Sequence, residues 1–324
     1  MKEGENILKE QYYGVEIELT GITRKQASDA LAELFGTTNR YIGGIYDAYS
    51  VKDPEGKEWK IMSDASITPQ KRQMGRRVIA ADEKYKVELV TPKLTYEEMK
   101  KLQSAIRCIR KAGGFVNGSC GIHVHIDGAN HTKKSLKNLL SIMYAKEDIL
   151  FRALQVNEAR ARNFCRKVRE PMLQRVRRLS SSETTDLTQL EHIWYGENDT
   201  RITRRMHYHD TRYYALNLHS MFYRGTVEFR MFNSTLHAGE VRAYVTLCLA
   251  MSAQAIAQRG TVLRKTQSDN EKFTFRTWLI RLGLNGEEFK TVRQHLLKHL
   301  EGDPSWRHEK SSYACNQRSR NIER

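Results

Sequence analysis

The sequence is short of the devices that hold a chain together from outside its own core. Only five cysteines occur in 324 residues, at positions 108, 120, 165, 248 and 315, and no two form a Cys-x-x-C pair. An odd, scattered set fits neither a disulfide framework nor a cysteine-based zinc site. Five prolines, no internal repeat and no biased tract exclude collagen-like and low-complexity chains. The longest apolar-leaning stretch, 241–257, is broken by Arg242, Thr246, Ser252 and Gln254, and falls short of the roughly 20 residues a membrane span needs. The first residues, MKEGENILKEQ, lack the apolar segment of a secretory signal. The Gly-x-x-x-x-Gly-Lys-[Ser/Thr] phosphate loop is missing as well. The expectation is a cytoplasmic globular protein, with no membrane partner and enough apolar residues (40%) to bury a core.

Acid is also in short supply. Thirty-eight Asp and Glu face 54 Lys and Arg, a net charge of +16. Residues 160–178 hold eight basic side chains and one acid, Glu170, and residues 306–324 are basic without periodicity. Such a balance suits an anionic partner. Nucleic acid is the less favoured form of it, because no zinc finger, RNP-type sequence or basic-zipper heptad accompanies the charge.

Strand and helix signals are mixed along the chain. Residues 13–20 alternate, Thr23 reads as the N-cap of a helix through Leu34, and Gly36 as its stop. Extended segments are expected at 41–51 and 58–63, flanking the turn Asp53-Pro54-Glu55-Gly56, and again at 85–91 and 121–127. A helix from Thr95 to about Lys111 precedes Gly113-Gly114. Residues 133–179 read as mostly helical, with a polar linker from Ser180. Residues 211–219 and 225–232 read as a strand pair. A helix over about 238–258 would end at Gly260, and two more fall at 273–282 and 286–300. Strands and helices do not alternate strictly, which favours an α+β fold with a mainly antiparallel sheet.

Sorting each strand by its period of two gives the functional signal. Val15, Ile17 and Leu19 oppose Glu16 and Glu18; Val87 and Leu89 oppose Glu88. Ile122, Val124 and Ile126 oppose His123, His125 and Asp127; Val227, Phe229 and Met231 oppose Glu228 and Arg230. A solvated strand face ordinarily mixes Thr, Ser, Gln, Lys and Arg. Four faces built from carboxylates and imidazoles repel one another unless cations neutralise them. Oxygen-rich sets with one or two imidazoles suit Mg2+ or Mn2+ better than zinc. Hard divalent ions beside an arginine are apparatus for a nucleoside triphosphate.

These residues, in this order, resemble the glutamine synthetase and glutamate–cysteine ligase superfamily, and within it the amidoligase family. The resemblance is carried by Tyr13-Gly14-Val15-Glu16-Ile17-Glu18, Trp59 with Asp64-Ala65-Ser66, and Val87-Glu88-Leu89-Val90-Thr91-Pro92. Gly121 to His125, Leu216-Asn217-Leu218 and Thr226-Val227-Glu228-Phe229-Arg230 continue it. It covers roughly residues 12–258. It implies a curved sheet resembling the glutamine synthetase catalytic domain, with helices on the convex face and the site on the concave one. It implies ATP-dependent joining of a carboxylate to an amine through an acyl phosphate, with ATP and Mg2+ or Mn2+ as cofactors. The acid and amine could be an amino acid, a peptide or a protein side chain.

Carried over by position, Glu16, Glu18, Glu88, His123 and Glu228 would be metal ligands. Arg230, Glu228 and Asp64 would be catalytic, and His125, Arg230 and Arg212 would face the nucleotide. Asn117, Gly118, Asn217 and Arg162 would contact substrate. Strict alternation from Asn217 puts Arg212 on the opposite face, so its role requires a strand that begins after it. The implied organisation is a catalytic domain over 1–260 with a helical insert at about 133–180, a helical extension over 261–303, and a basic, flexible tail over 304–324.

Two other readings use different residues. His123-Val124-His125-Ile126-Asp127 spells the His-x-His-x-Asp of metal-dependent hydrolases and nucleases, but leaves Glu16, Glu18, Glu228 and Arg230 without work. A nucleic-acid-binding protein would rest on the arginine run and the tail alone. Cys120 reads as a small buried residue, and His219, which shares a face with Asn217, as a reserve candidate.

Overall fold

The computed structural model describes residues 2–74, 77–196, 200, 202–206, 208–260 and 264–307. Most of the expected tail, with Cys315, lies outside them. In chain order the elements are α1 (Lys2–Glu10), β1 (Tyr13–Leu19), α2 (Arg24–Phe35), β2 (Asn39–Gly43), β3 (Ala48–Lys52), β4 (Glu58–Met62), β5 (Gln70–Gln73) and β6 (Arg77–Ala80). There follow β7 (Val87–Val90), α3 (Met99–Lys111), β8 (Gly121–Asp127), α4 (Lys133–Ala153), α5 (Glu158–Asn163), α6 (Glu170–Arg177) and α7 (Thr188–Tyr195). The chain continues through β9 (Leu216–Asn217), α8 (His219–Arg224), β10 (Thr226–Asn233), α9 (Ala238–Ala257), α10 (Glu271–Arg281) and α11 (Lys290–Leu297).

Eight strands form one sheet in the order β2-β3-β4-β7-β1-β8-β10-β9, and every ladder in it is antiparallel. The α+β expectation and its mainly antiparallel sheet are met. One face carries Val15, Ile17, Leu19, Leu89, Ile122, Val124, Ile126, Val227 and Phe229, each at most 1% exposed. A side chain of this size gains about 1.5–3 kcal/mol on full burial, so this face anchors the fold. Helix α9 packs on β8 and β1, and α2 packs on β3 and β4. The apolar stretch of the sequence is thus a central helix. It touches α1, α3, α4 and α11 as well as the sheet, and a helix enclosed on all sides can be apolar all round.

Local signals explain several boundaries. Thr23 caps α2 in a reciprocal box with Gln26, and Gly36 ends it at φ 64° in the left-handed region that glycine tolerates. Other expectations need correction. Residues 41–51 are not one strand, because Gly43 and Gly44, both at positive φ, fold them into the β2–β3 hairpin. Residues 211–219 hold only the two-residue β9. Residues Asp210–Arg212 form a 3-10 turn, and α8 fills the connection to β10. Helix α9 ends at Gln258 in extended geometry, without a left-handed glycine at 260. Helix α1 and the β5–β6 hairpin are additions that the sequence patterns did not suggest.

A charged network stitches the β3–β4 turn to α3. Asp53, 2% exposed, accepts from the Trp59 indole (3.2 Å), from Lys101 Nζ (2.9 Å) and from the amides of Glu55 and Lys57. Lys57 and Lys101 also pair with Glu98 at 2.6 and 3.2 Å. Every charge there has a partner.

Candidate functional site

The second face of the sheet is the floor of a cavity of about 850 Å³. Antiparallel register sets its composition, since directly opposed residues share a face. Glu16 lies opposite His123, Glu18 opposite Glu88, His125 opposite Glu228, and Glu228 opposite Asn217. Four acids and two histidines on β1, β7, β8 and β10 therefore meet, although more than 200 residues separate the first from the last. Gly14, opposite His125, adds no side chain to this floor.

Distances confirm the convergence. His123 Nδ1 is 3.0 Å from Glu16 and 3.8 Å from Glu228, and its Nε2 is 3.9 Å from Glu18. His125 Nε2 lies 3.4 Å from Glu16 and 4.0 Å from Glu228, yet is buried without a hydrogen-bond partner. Two sets of potential ligand atoms, Glu16–His123–Glu228 and Glu18–Glu88–His123, each fall within 4.8 Å of one another. A third group outside the cavity, His237, Glu240 and His295, is less suited, because Lys298 and Thr235 engage the two oxygens of Glu240.

Arg230 owes its place to an irregularity. The β10–β8 register shifts between Phe229 and Phe232, so β10 bulges at Arg230 and Met231, a device that redirects a side chain. The guanidinium bonds Glu228 and the Phe164 carbonyl (3.3 Å) and faces the Tyr213 ring. Asn217 Nδ2 donates to the other oxygen of Glu228 at 2.6 Å, while its Oδ1 accepts from the amides of His219 and Ser220. Asn217 thereby fixes both Glu228 and the start of α8.

The electrostatics divide the floor in two. Burial would raise Glu16, but the charge of His125, and the hydrogen bond and charge of His123, hold it well below the usual range. Glu228 is likewise held at about 2 against burial, by Arg230 and then His125. His125 is raised, against burial, by Glu16 and Glu228, whereas burial and Arg230 push His123 down to about 4. On the other side, burial and the charge of Asp64 push Glu18 up to about 7. Glu88 stands well above its ordinary value through burial and the repulsion of Glu16, Asp64 and Glu18. This half of the floor has more negative charge than its neighbours can balance.

Other expected residues divide between the cavity and its outside. Asp64 lines the cavity, with Oδ1 accepting from the Ser66 amide and hydroxyl. Arg212 also lines it, from the 3-10 turn before β9, so the strand does begin after it. His219 lines it too, its Nδ1 2.5 Å from the Tyr195 hydroxyl and its Nε2 without a partner. Tyr46 and Tyr208, whose hydroxyls meet at 3.2 Å, belong to the same wall.

Asn117 and Gly118 do not line the cavity. The Asn117 amide donates to the Thr68 carbonyl and to Gln70, and its Oδ1 accepts from the Ser119 amide and hydroxyl, so the side chain is consumed in shaping its own turn. Arg162 lies outside the cavity as well. It is 75% exposed and pairs with Glu158, four residues before it on α5. Positions two apart on a helix face nearly opposite ways, and the inward one is Arg160, a cavity-lining residue 4% exposed. The run of arginines signalled the segment; only the helix phase shows which member turns inward. Asp127, the third member of His-x-His-x-Asp, does not line this cavity and is paired with Lys93. Cys120 is buried, and burial raises its thiol to about 11. No helix among the described residues is long and apolar enough to cross a membrane.

Comparison with known families gives a match over most of the chain. The model of a family described as "Putative amidoligase enzyme" covers residues 9–252 of this chain, a span that runs from the end of α1 into α9 and contains every floor residue named above. No curated protein matches the sequence.

Proposed function

The chain belongs to the amidoligase family, and from that premise we propose that it is an ATP-dependent carboxylate–amine ligase working through an acyl phosphate. The observation that carries this reading is the convergence of Glu16, Glu18, Glu88, His123, His125, Glu228 and Arg230 in one cavity. In the first step a substrate carboxylate oxygen attacks the γ-phosphorus of ATP and ADP departs. In the second the amine nitrogen attacks the acyl carbon, the amide bond forms, and inorganic phosphate leaves with the oxygen it had gained.

The donor set fits hard cations. Four carboxylates and two imidazoles face each other, two of the carboxylates lie above their ordinary range through burial and then the repulsion of neighbouring acids, and His125 Nε2 has no hydrogen-bond partner. Glu16, His123 and Glu228 would hold one ion, and Glu18 and Glu88 with His123 a second. Bound Mg2+ or Mn2+ supplies neutralisation of triphosphate charge and fixes its oxygens. Arg230, already oriented by Glu228 and the Phe164 carbonyl, presents its guanidinium to the phosphoryl group in transfer. The nucleotide enters from the His125 end, where a second cavity of about 370 Å³ lined by Tyr12, Gly14, Thr91 and Thr226 adjoins the first. Arg212 contributes positive charge on the cavity wall, Asn217 keeps Glu228 in place, and Asp64 is placed to accept the proton the amine loses. In this reading the floor is curved and resembles that of the glutamine synthetase catalytic domain, with the reacting groups on its concave side.

The test is ADP release with ATP and Mg2+ over a panel of acids, with hydroxylamine as a general amine so that an acyl phosphate is captured as a hydroxamate. ADP, phosphate and hydroxamate in equal amounts are expected. Release of AMP and pyrophosphate would refute the acyl-phosphate route.

A further inference from the structure

The third group of ligand atoms lies away from the cavity, where α9 meets α11. His237 is the N-cap of α9, Glu240 stands in its first turn, and His295 in the last turn of α11. One ligand atom from each lies within 4.8 Å of the other two, and the two imidazoles meet at 5.0 Å between ring centres. The junction is shaped around them. A Cβ on Gly239 would fall 2.7 Å from His295 Nε2 and 3.0 Å from His237 Cε1, so a bare glycine lets both rings crowd the first turn. The Thr235 hydroxyl accepts from the His237 amide at 3.1 Å and donates to Glu240 Oε2 at 2.7 Å, tying two of the three residues into one frame. An outer hydrogen bond of this kind steadies a carboxylate that binds metal.

What the three residues now bind is weak or replaceable. Among the described residues the His295 ring has no hydrogen-bond partner, and its ring contact is with His237. His237 Nδ1 accepts a 3.2 Å bond from the Glu240 amide. Glu240 Oε1 is paired with Lys298, a side chain 38% exposed that can turn to solvent. An ammonium thus occupies the place of a cation. The positive end of α9 and the negative end of α11 meet at this point, so the two helix dipoles offset one another. Donor type decides the ion. Mg2+ demands oxygens in octahedral array, and the single carboxylate here is engaged. Two imidazoles and a carboxylate are a set for Zn2+ or its neighbours Co2+ and Ni2+. Zn–N bonds of about 2.0–2.1 Å put tetrahedral ligands about 3.3 Å apart, a closure that side-chain rotation supplies. We propose that His237, Glu240 and His295 form a Zn2+ site, with Lys298 holding the carboxylate until the ion displaces it. The family match ends at residue 252, before α11 begins, so the ion clasps the helical extension to the first turn of α9. Nothing in this depends on the ligase reading.

Equilibrium dialysis of the full chain against Zn2+ in saturating Mg2+ tests it. His295→Gln and His237→Asn should each retain one equivalent of Zn2+ fewer than the wild type, the asparagine keeping an N-cap for α9. The same loss should follow when His295→Gln is added to Glu228→Gln, which separates this ion from any on the cavity floor. Lys298→Met, which frees Glu240, should bind Zn2+ at this site at least tenfold more tightly than the wild type. Circular dichroism of the metal-free variants should match that of the wild type, and Zn2+ should raise the melting temperature of the wild type more than that of either histidine variant. An unchanged count of retained Zn2+ in both histidine variants would overturn the proposal. So would an affinity in Lys298→Met no tighter than that of the wild type. No further loss on adding His295→Gln to Glu228→Gln would place the ion on the floor and overturn it as well.

Discussion

The molecule holds two clusters of acidic side chains, and they are built on opposite principles. Around Asp53, Glu55 and Glu98, every acid is paired with a lysine, Lys101 reaching all three and Lys57 also reaching Glu98, and Glu98 is held at about 2, by Lys57 above all, against its burial. On the cavity floor, Glu18 and Glu88 face each other and Asp64, and are pushed upward. The first arrangement is what folding alone selects, since paired charge steadies a turn. The second costs stability, and a chain retains such a cluster where something outside it completes the balance.

The comparison can be broken most decisively at Glu228. Glu228→Gln and Glu16→Gln each remove one floor carboxylate while keeping its shape, and ADP release under saturating Mg2+ should fall at least about a hundredfold. Circular dichroism should remain that of a folded protein, while the melting temperature should fall, because each variant removes a carboxylate held ionised by buried cationic neighbours. A variant that kept its turnover would remove the floor from the chemistry. Next in size is Lys101→Met, which strands buried Asp53. Chemical denaturation should register a loss of about 2–3 kcal/mol, with KM for ATP unchanged.

Glu88→Gln should move stability the other way. Removing one member of a repelling group should raise the melting temperature of the metal-free protein by about 2 °C, the equivalent of roughly 1 kcal/mol at this size, and should weaken Mg2+ binding measured by calorimetry. Smallest is the acid limb of the stability profile. Glu98 has its folded value at about 2 against 4.5 unfolded, so its contribution is complete above pH 4.5 and is lost as pH falls toward 2. Glu98→Gln should flatten that part of a melting-temperature profile and leave the profile between pH 6 and 8 alone.

Period-two alternation was enough to read the floor. Glu16, Glu18, Glu88, His123, His125 and Glu228 fall on one side of their strands because each neighbour in sequence is apolar and buried. Alternation says which face a side chain takes, and nothing about segments that are not strands. Asn117 sits in a turn whose own amides and hydroxyls use up its polar atoms, a local competition that composition does not reveal. Arg160 and Arg162 look equivalent in the sequence, and a six-residue helix separates them by phase alone. The bulge at Arg230 and the two-residue length of β9 depend on pairing partners far along the chain. Helix α1 has only two apolar residues in its sequence, Ile7 and Leu8, and packs on α9.

The central position of β1 has a consequence for how the molecule breathes. With β7 and β8 bonded along both edges, its amides can exchange with heavy water only when the whole sheet comes apart. The turn at Asp210–Arg212 and the two-residue β9 have little ladder to hold them and exchange through local opening. Hydrogen exchange should therefore be slowest in β1, so that the spacing of Glu16 and Glu18 is kept as long as the sheet itself.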